Sequence, residues 1–279
     1  LSRYISDKQN DARQKGGVIK SALGYFEALS QHGYNLNFGD INDFDFDAED
    51  YLNHIVILSH QISIPSKHWS NLDNFVKRGG TLIVDGLTGF YNENAVCLMN
   101  NDFPLKNLFG GEVSEFKHVD KLFDLDVSGQ KLKTHLWQGT IIPHTGTVIS
   151  RNNNQPTGII NNYGKGKVFW IPSPLGLGAK ISKEYEPLLS IFEQEFDNTG
   201  AFRFKKFHEG VLMKNIETSQ GVISVLINKN KEKQTIELIG FEKYKPHRML
   251  FQDKGGEIVS QNKVYIYPEE TIVIDWRKK

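Results

Sequence analysis

The sequence predicts an α/β domain built on a parallel sheet with flanking helices, followed by a small all-β sandwich. Two short apolar runs, HIVILS at 54–59 and TLIVD at 81–85, enclose a segment with helical periodicity. A strand, a helix and a strand with short links form a βαβ unit, whose strands pair in parallel. Beyond residue 200 strand signals follow one another without helices, which indicates an antiparallel sandwich of about 80 residues.

The first domain is predicted to open with a helix and a strand. Over Lys8–His32 apolar residues recur at the three-and-four spacing of one helical face, and Gly33 follows the last turn. The alternation in YNLNF at 34–38 predicts a half-buried strand. HIVILS is continuously apolar, as in a strand covered on both faces.

A second helix should connect the two apolar strands. Ser66 is a favourable N-cap, and Gly79 with Gly80 is a favourable stop. Apolar residues at helical spacing should face inward: Trp69, Leu72, Phe75 and Val76.

The rest of the first domain is predicted to be mostly β, ending in a helix. Strand signals lie at 112–116, 131–137, 147–150, 158–161 and 167–171. A helix is expected over Lys183–Phe196, with Pro187 near its start. Because the composition changes near 197–200, the domains are predicted as 1–199 and 200–279. Strands of the sandwich are expected at 210–216, 222–228, 235–239, 248–251, 264–267 and 271–275.

The net charge, the apolar runs and the cysteine content exclude several classes of function and of structure. Lys and Arg together number 33, as do Asp and Glu, so the net charge offers no field for nucleic acid or an anionic membrane. No apolar run approaches the roughly 20 residues needed to span a bilayer. Cys97 is the only cysteine, which excludes an internal disulfide, and its AVCLM setting predicts a buried small hydrophobe. Nothing in the sequence identifies a cellular compartment.

Metal, phosphate and glycosidic sites find no support in the spacing of residues. The nine histidines lack ligand spacing, so no metal or cofactor is expected. The glycine-rich YGKGK around Gly164 precedes a strand rather than a helix, which favours a hairpin turn over a phosphate loop. The acid pairs Asp124 with Asp126 and Glu269 with Glu270 have the polar contexts of solvated surface.

The strand at 81–85 runs into a glycine turn, DGLTGF, of the kind that holds a nucleophile in many α/β enzymes. Leu87 at its tip cannot attack a substrate, and the Thr88 hydroxyl would need a base within reach. Asp85 either binds a ligand or caps the turn. A structural turn is the favoured interpretation.

A ligand, if one binds, should lie beyond the carboxyl ends of the strands, as in other open α/β sheets. The residues expected there are His60, Asp85, Thr88 and Tyr91. Trp137, in HLWQG, fits either stacking on a sugar or a subunit contact.

The order of these motifs resembles the class I glutamine amidotransferase-like (flavodoxin-like) fold. The resemblance places Leu87 where that family has its nucleophilic cysteine, so the nucleophile position is degenerate. The His-x-Glu partners would fall near 171–175, where IPSPL has neither residue. No catalytic residue is therefore carried over.

A narrower resemblance covers more of the chain. ALGYFEALSQHGYNLNF, NFVKRGGTLIVDGLTGFYNEN, FPLKNLFGGEVSEF and NNYGKGKVFWIPS occur in the order typical of the trimerisation domain of family-42 glycoside hydrolases, the β-galactosidases. In that family the domain is non-catalytic, mediates trimer contacts and precedes a small β-sandwich. The resemblance implies self-association, in a trimer, and contact with the family's catalytic barrel, whose active site it helps to shape. The family's catalytic glutamates lie on that barrel and match no position here.

Two other functions remain open at this point. The chain could be a freestanding carbohydrate-binding domain or one of the ThuA-like group of sugar metabolism, with its pocket beside His60 and Asp85. A hydrolase that uses Thr88 or Cys97 is the third and weakest hypothesis.

Overall fold

The structure, a computed structural model, describes residues 15–99 and 102–279. The chain divides into two compact units. The first unit comprises Gly39–Thr199 together with the chain up to Tyr25, and the second comprises Phe26–Phe38 together with Gly200–Lys279.

The first unit is built on one mixed sheet of seven strands. They are β1 (Ile55–Ser59), β2 (Thr81–Asp85), β3 (Gly111–Val127), β4 (Gln130–Pro143), β5 (Thr147–Asn152), β6 (Gln155–Tyr163) and β7 (Gly166–Ile171), in the spatial order β1-β2-β7-β6-β5-β3-β4. β2 pairs in parallel with both β1 and β7, and the other pairs are antiparallel. The predicted α/β class and the βαβ unit are confirmed, with the parallel pairing limited to three strands.

Residues 15–99 and 102–279 contain six α-helices. They are α1 (Gly17–Gln31), α2 (Trp69–Lys77), α3 (Lys106–Phe109), α4 (Leu175–Ser182), α5 (Glu186–Ser190) and α6 (Glu193–Asn198), with short 3-10 turns at Ile41–Asp43 and Ser66–His68. The predicted start of the first helix, over residues 8–14, lies outside the described residues. No helix of the described chain is long and apolar enough to cross a membrane.

The connecting helix α2 buries the predicted face, with Leu72, Phe75 and Val76 fully buried. Ser66, however, does not cap it. Ser66 opens the preceding 3-10 turn, and its hydroxyl donates to Oε1 of Glu93 at 2.6 Å. The Ser66 hydroxyl thus bonds to a carboxylate 27 residues away, instead of to the main chain of the helix that it was predicted to cap.

Three further local predictions are wrong. The segment 34–38 is not a strand, because the Asn35 side chain rather than a neighbouring strand bonds the main chain of Asn215. The single helix predicted over Lys183–Phe196 is two short helices, because Lys183 is left-handed (φ 64°) and Pro187 restricts α5 to starting at Glu186. β1 is covered less than predicted, since it is the outermost strand of the sheet and three of its five residues are half-buried.

The core of the first unit is aromatic. Trp170 is fully buried, and its ring lies 5.1 Å from that of Phe109 and 5.8 Å from that of Phe103. Trp69 is only partly buried, and its indole N–H donates to the carbonyl of Ile64 at 3.2 Å. The predicted hairpin at Gly164 is confirmed: it joins the antiparallel strands β6 and β7, with φ +62° at the glycine.

The second unit is a sandwich of two four-stranded antiparallel sheets. Its strands are β8 (Arg203–Phe204), β9 (Val211–Thr218), β10 (Gly221–Asn228), β11 (Gln234–Ile239), β12 (Tyr244–Gln252), β13 (Glu257–Ser260), β14 (Lys263–Ile266) and β15 (Thr271–Lys278). The sheets have the orders β12-β15-β10-β9 and β13-β14-β11-β8. Both contribute to one buried core around Trp276 and Phe241. β8 and β13, which sequence patterning did not predict, are two and four residues long.

Glu270 contradicts the surface assignment of the Glu269–Glu270 pair. Its side chain is fully buried and accepts hydrogen bonds from the main-chain N–H groups of Lys254 (3.1 Å), Gly256 (2.7 Å) and Tyr267 (2.6 Å). A buried carboxylate is tolerated when several donors satisfy it. Here it ties two loops of the sandwich together.

Candidate functional site

The candidate site lies at the carboxyl ends of the three parallel strands. Their register aligns Ser59 of β1, Asp85 of β2 and Ile171 of β7 in one row. The residues that follow each strand therefore meet at one edge of the sheet. In open α/β folds this edge is where ligands bind.

Asp85 is the most constrained residue of this edge, with a side chain only 1 % exposed. Its Oδ1 accepts from the main-chain N–H of His60 at 2.8 Å, and its Oδ2 accepts from that of Gly176 at 2.9 Å. Burial raises the pKa of Asp85 to about 6, although the N–H of Gly176 and the hydroxyl of Ser59 oppose the rise. Both carboxylate oxygens therefore hold the backbone rather than face a ligand.

Two further hydroxyl side chains from α1 complete this buried polar group. The hydroxyls of Ser21 and Ser59 are 2.7 Å apart, and both side chains are buried. Burial, together with the nearby Asp85, raises the pKa of Tyr25 well above its ordinary value. These residues were not predicted, because each is an ordinary polar residue on a helix or strand in the sequence.

His60 immediately follows β1 and is buried, with a left-handed backbone at φ 53°. Its Nδ1 accepts from the main-chain N–H of Leu87 at 3.2 Å, so this nitrogen carries no proton. Burial lowers the pKa of His60 to about 4. At neutral pH the ring is uncharged and holds the tip of the glycine turn.

Thr88 is fully buried, and its hydroxyl is used within the protein. The oxygen accepts from the N–H of Gln61 at 2.9 Å and lies 2.6 Å and 3.0 Å from the carbonyl oxygens of Asp85 and Leu58. A nucleophilic hydroxyl needs a base within hydrogen-bond distance and access to substrate. These partners are an amide and two carbonyls, none of which is a base.

The glycine turn itself can only be built with glycine at Gly86. This residue has φ +64°, and a Cβ there would lie 2.4 Å from Nδ1 of His60. Its N–H donates toward the carbonyl oxygens of Ile171 (3.1 Å) and Ser173 (3.2 Å). The turn thus joins β2 to the segment after β7.

The edge is closed by α4 and by β4. The N-terminal end of α4 is held by the bond from Gly176 to Asp85, and a Cβ at Gly178 would lie 2.1 Å from the carbonyl oxygen of Lys133 in β4. The N–H of Gly139 in β4 donates to the carbonyl of Pro172 at 2.8 Å. The alternating glycines in LGLGAK were the sequence signal for this close approach. They also explain why α4 was missed, since glycine disfavours helices.

The structure brings His60, Asp85 and Thr88 together and places Tyr91 further along the chain. The N–H of Tyr91 donates to the carbonyl of Ile62 at 2.9 Å, and its ring packs edge-on against Phe90 at 4.8 Å. Cys97 forms an isolated bridge with Tyr91 and is half-buried, not buried as predicted, because it lies in a loop between the exposed Val96 and the buried Leu98. Among residues 15–99 and 102–279, no group of three His, Cys, Asp or Glu side chains could hold a metal ion.

Comparison with known proteins places these features in a family context. Residues 2–189 match the family described as "Beta-galactosidase trimerisation domain". The β-galactosidase BgaA of Clostridium cellulovorans is 26 % identical over 171 residues, which cover 58 % of this chain and 25 % of that protein.

Solved structures show the same fold over nearly the whole chain. A catalytic mutant of Gan42B, a GH42 β-galactosidase from G. stearothermophilus, superposes with a TM-score of 0.75 at 17 % identity, covering 98 % of this chain and 38 % of that one. The β-galactosidase from Bacillus circulans sp. alkalophilus gives 0.73 at 15 % identity, covering 99 % and 40 %. The chain therefore spans about a quarter of the curated relative and about two fifths of these solved chains.

Proposed function

The chain belongs to the β-galactosidase trimerisation-domain family, and on that premise we propose that it is a non-catalytic region of a β-galactosidase-like glycoside hydrolase. It acts in oligomerisation and in shaping the active site of the parent enzyme. Its partners are further copies of itself, in a trimer, and the catalytic barrel of that enzyme.

The observation that supports a non-catalytic role is that the side chains of Asp85 and Thr88 and Nδ1 of His60 bond to the protein's own main chain. Leu87 stands at the tip, Asp85 and Thr88 hold main-chain groups, and Nδ1 of His60 accepts from the turn itself. The side chains of His60, Asp85 and Thr88 are at most 2 % exposed. A catalytic group must reach substrate, and these three do not.

The same burial weighs against the sugar-binding alternative at this edge. A sugar is recognised by hydroxyl-directed polar groups at the surface of a cleft. Isothermal calorimetry against a panel of sugars should give no binding heat. A sugar that binds to the chain, and binds more weakly to His60→Ala, would favour the alternative.

Two measurements on the chain test the proposal. Light scattering should give the mass of three chains of 31.8 kDa each, or of a multiple of three chains, because the family description implies threefold association. A β-galactoside hydrolysis assay should give no turnover. A monomer at all concentrations would contradict the oligomerisation, and turnover would contradict the non-catalytic role.

We propose that the β3–β4 hairpin contributes to the shape of the active site, because its Trp137, a residue type suited to stacking on a sugar or to a subunit contact, is half-buried and packs edge-on against His118 at 5.3 Å. Trp137→Ala in the full-length parent enzyme should raise KM. If KM and kcat both stay unchanged, the hairpin has no part in the active site.

A further inference from the structure

The β3–β4 hairpin has an irregular segment beside two histidines. Val119 of β3 lies opposite Leu136 of β4, and the next aligned pair is Phe123 with Thr134. Three residues of β3 therefore stand against one residue of β4, His135. Leu136, which follows it, has φ +77°, a left-handed backbone that residues other than glycine rarely adopt. Bulges and residues of this kind concentrate where a fold aims a side chain at a ligand.

The hairpin brings His118 and His135, which are 17 residues apart in the sequence, to the same face. His118 lies directly opposite Trp137, and their rings are in edge-on contact at 5.3 Å. Along β4 the positions 133, 135 and 137 are half-buried and those between them are buried, so His135 and Trp137 point to one side. Diagonal positions on paired strands have Cα atoms about 7–8 Å apart, which lets two imidazoles share one ion.

Each of these histidines has a buried ring nitrogen without a hydrogen-bond partner in the described part of the chain. They are Nε2 of His118 and Nδ1 of His135. Nδ1 of His118 lies 3.1 Å from Oδ1 of Asp120, and His135 has a hydrogen bond with the main chain of Lys121. A metal-binding histidine almost always bonds a carboxylate or a main-chain carbonyl through its second nitrogen, which orients the ring toward the ion. Both histidines therefore have the support that a metal ligand needs.

The charges around the two rings are compatible with a bound cation. Burial lowers the pKa of His135, and the charges of His118 and Lys20 lower it further. The effect of His118 means that the two rings lie near each other. Asp120 supplies the negative charge beside His118. Lys20 of α1 opposes a bound cation, but its flexible stem lets the amine turn toward water.

We propose that His118 and His135 bind one divalent transition-metal ion through Nε2 and Nδ1, with water completing its coordination. Imidazole suits Zn²⁺, Cu²⁺ and Ni²⁺, whereas Mg²⁺ and Ca²⁺ prefer oxygen ligands. Two protein ligands are fewer than a structural zinc site has, in keeping with the absence of a three-ligand group among residues 15–99 and 102–279. The bound ion is exchangeable, and it joins β3 to β4 across the irregular segment. Neither the trimer nor the catalytic barrel contributes to this site, so it goes beyond the proposed function.

Calorimetric titration of the full chain with Ni²⁺ and with Zn²⁺ tests the site. One ion should bind per chain, and Mg²⁺ at the same concentration should give no heat. His118→Ala and His135→Ala should each lose this binding, and Asp120→Asn should weaken it by about 10–100-fold. The matched control is His54→Ala, which removes an exposed histidine of the same unit and should bind as wild type does.

Electron paramagnetic resonance of the Cu²⁺-loaded chain identifies the ligands. The wild type should show two imidazole nitrogens, and His118→Gln and His135→Gln, which keep a polar side chain at each position, should show one. Far-UV circular dichroism confirms that each variant is folded. A wild type that binds neither Ni²⁺ nor Zn²⁺, binding that survives in either alanine variant, or an equal loss in His54→Ala would overturn the inference. None of these results changes the trimer mass or the turnover that test the proposed function, so the two fail separately.

Discussion

The substitution Asp85→Asn separates the effects of two buried titrating groups, Asp85 and His60, on the stability of the protein. Both groups lie at the carboxyl ends of the parallel strands. The carboxylate accepts from the N–H groups of His60 and Gly176, one on each oxygen. Asparagine has nearly the same shape but replaces one oxygen by an NH₂ group, which would face an N–H donor. The substitution also removes the titration of Asp85, and that change has a defined dependence on pH.

The magnitude follows from the raised pKa of Asp85. Burial moves it from 3.8 in the unfolded chain to about 6 in the folded protein. Between these values the folded state binds more protons, so the stability that Asp85 contributes falls as the pH rises. Two pKa units at about 1.4 kcal/mol each amount to a loss of about 3 kcal/mol between pH 4 and pH 6.

His60 contributes with the opposite sign. Burial lowers its pKa from 6.5 to about 4, so the folded state binds fewer protons between these values and loses stability as the pH falls. The loss is again about 3 kcal/mol. In the wild type the two contributions nearly cancel between pH 4 and pH 6, whereas in Asp85→Asn only that of His60 remains.

Urea unfolding at pH 4, 5, 6 and 7 measures the effect, with hydrogen exchange reporting on the peptides of the first unit. The free energy of unfolding of wild type minus that of Asp85→Asn should be about 3 kcal/mol larger at pH 4 than at pH 7. Asp124→Asn, which removes an exposed carboxylate of the same unit that pairs with Lys133 at 2.7 Å, is the control for the loss of a carboxylate as such. A difference that stays constant, or that grows toward pH 7, would refute the assignment of a raised pKa to Asp85.

Three further substitutions test the packing within each unit. Gly86→Ala should lower the free energy of unfolding by about 3 kcal/mol or more, because its Cβ would clash with the His60 ring. Gly129→Ala is the control: Gly129 has φ +85° but open space around it, so the loss should be about 1–2 kcal/mol. Equal losses in the two variants would contradict the clash. Thr88→Val should cost about 1–3 kcal/mol in urea unfolding, since it leaves a main-chain N–H without its acceptor, and Thr88→Ser should restore most of the loss if the hydroxyl is the cause. Glu270→Gln should destabilise the sandwich by about 1–3 kcal/mol, because its amide would face one of three main-chain donors; hydrogen exchange that changes in the first unit instead would count against this reason.

Periodic patterns and turn residues in the sequence determined the type and the approximate bounds of several elements. The connecting helix, the two apolar strands around it and the hairpin at Gly164 all follow from spacing and turn chemistry, which act over a few residues. The absence of a nucleophile at Leu87 is likewise a property of the sequence alone. Together these features predicted the fold class and the lack of catalytic machinery at the turn.

Only the tertiary structure decided how the polar groups are used. Asp85 accepts from Gly176, 91 residues away, and Glu270 accepts from three amides of two loops, so neither partner set is visible in local sequence. The partner of Asn35 is equally invisible in local sequence. Its side-chain amide donates to the main-chain carbonyl of Asn215, 180 residues later, where a neighbouring strand would otherwise pair. A buried carboxylate or amide must find donors and acceptors wherever the chain supplies them, and that supply is fixed by packing at long range rather than by periodicity.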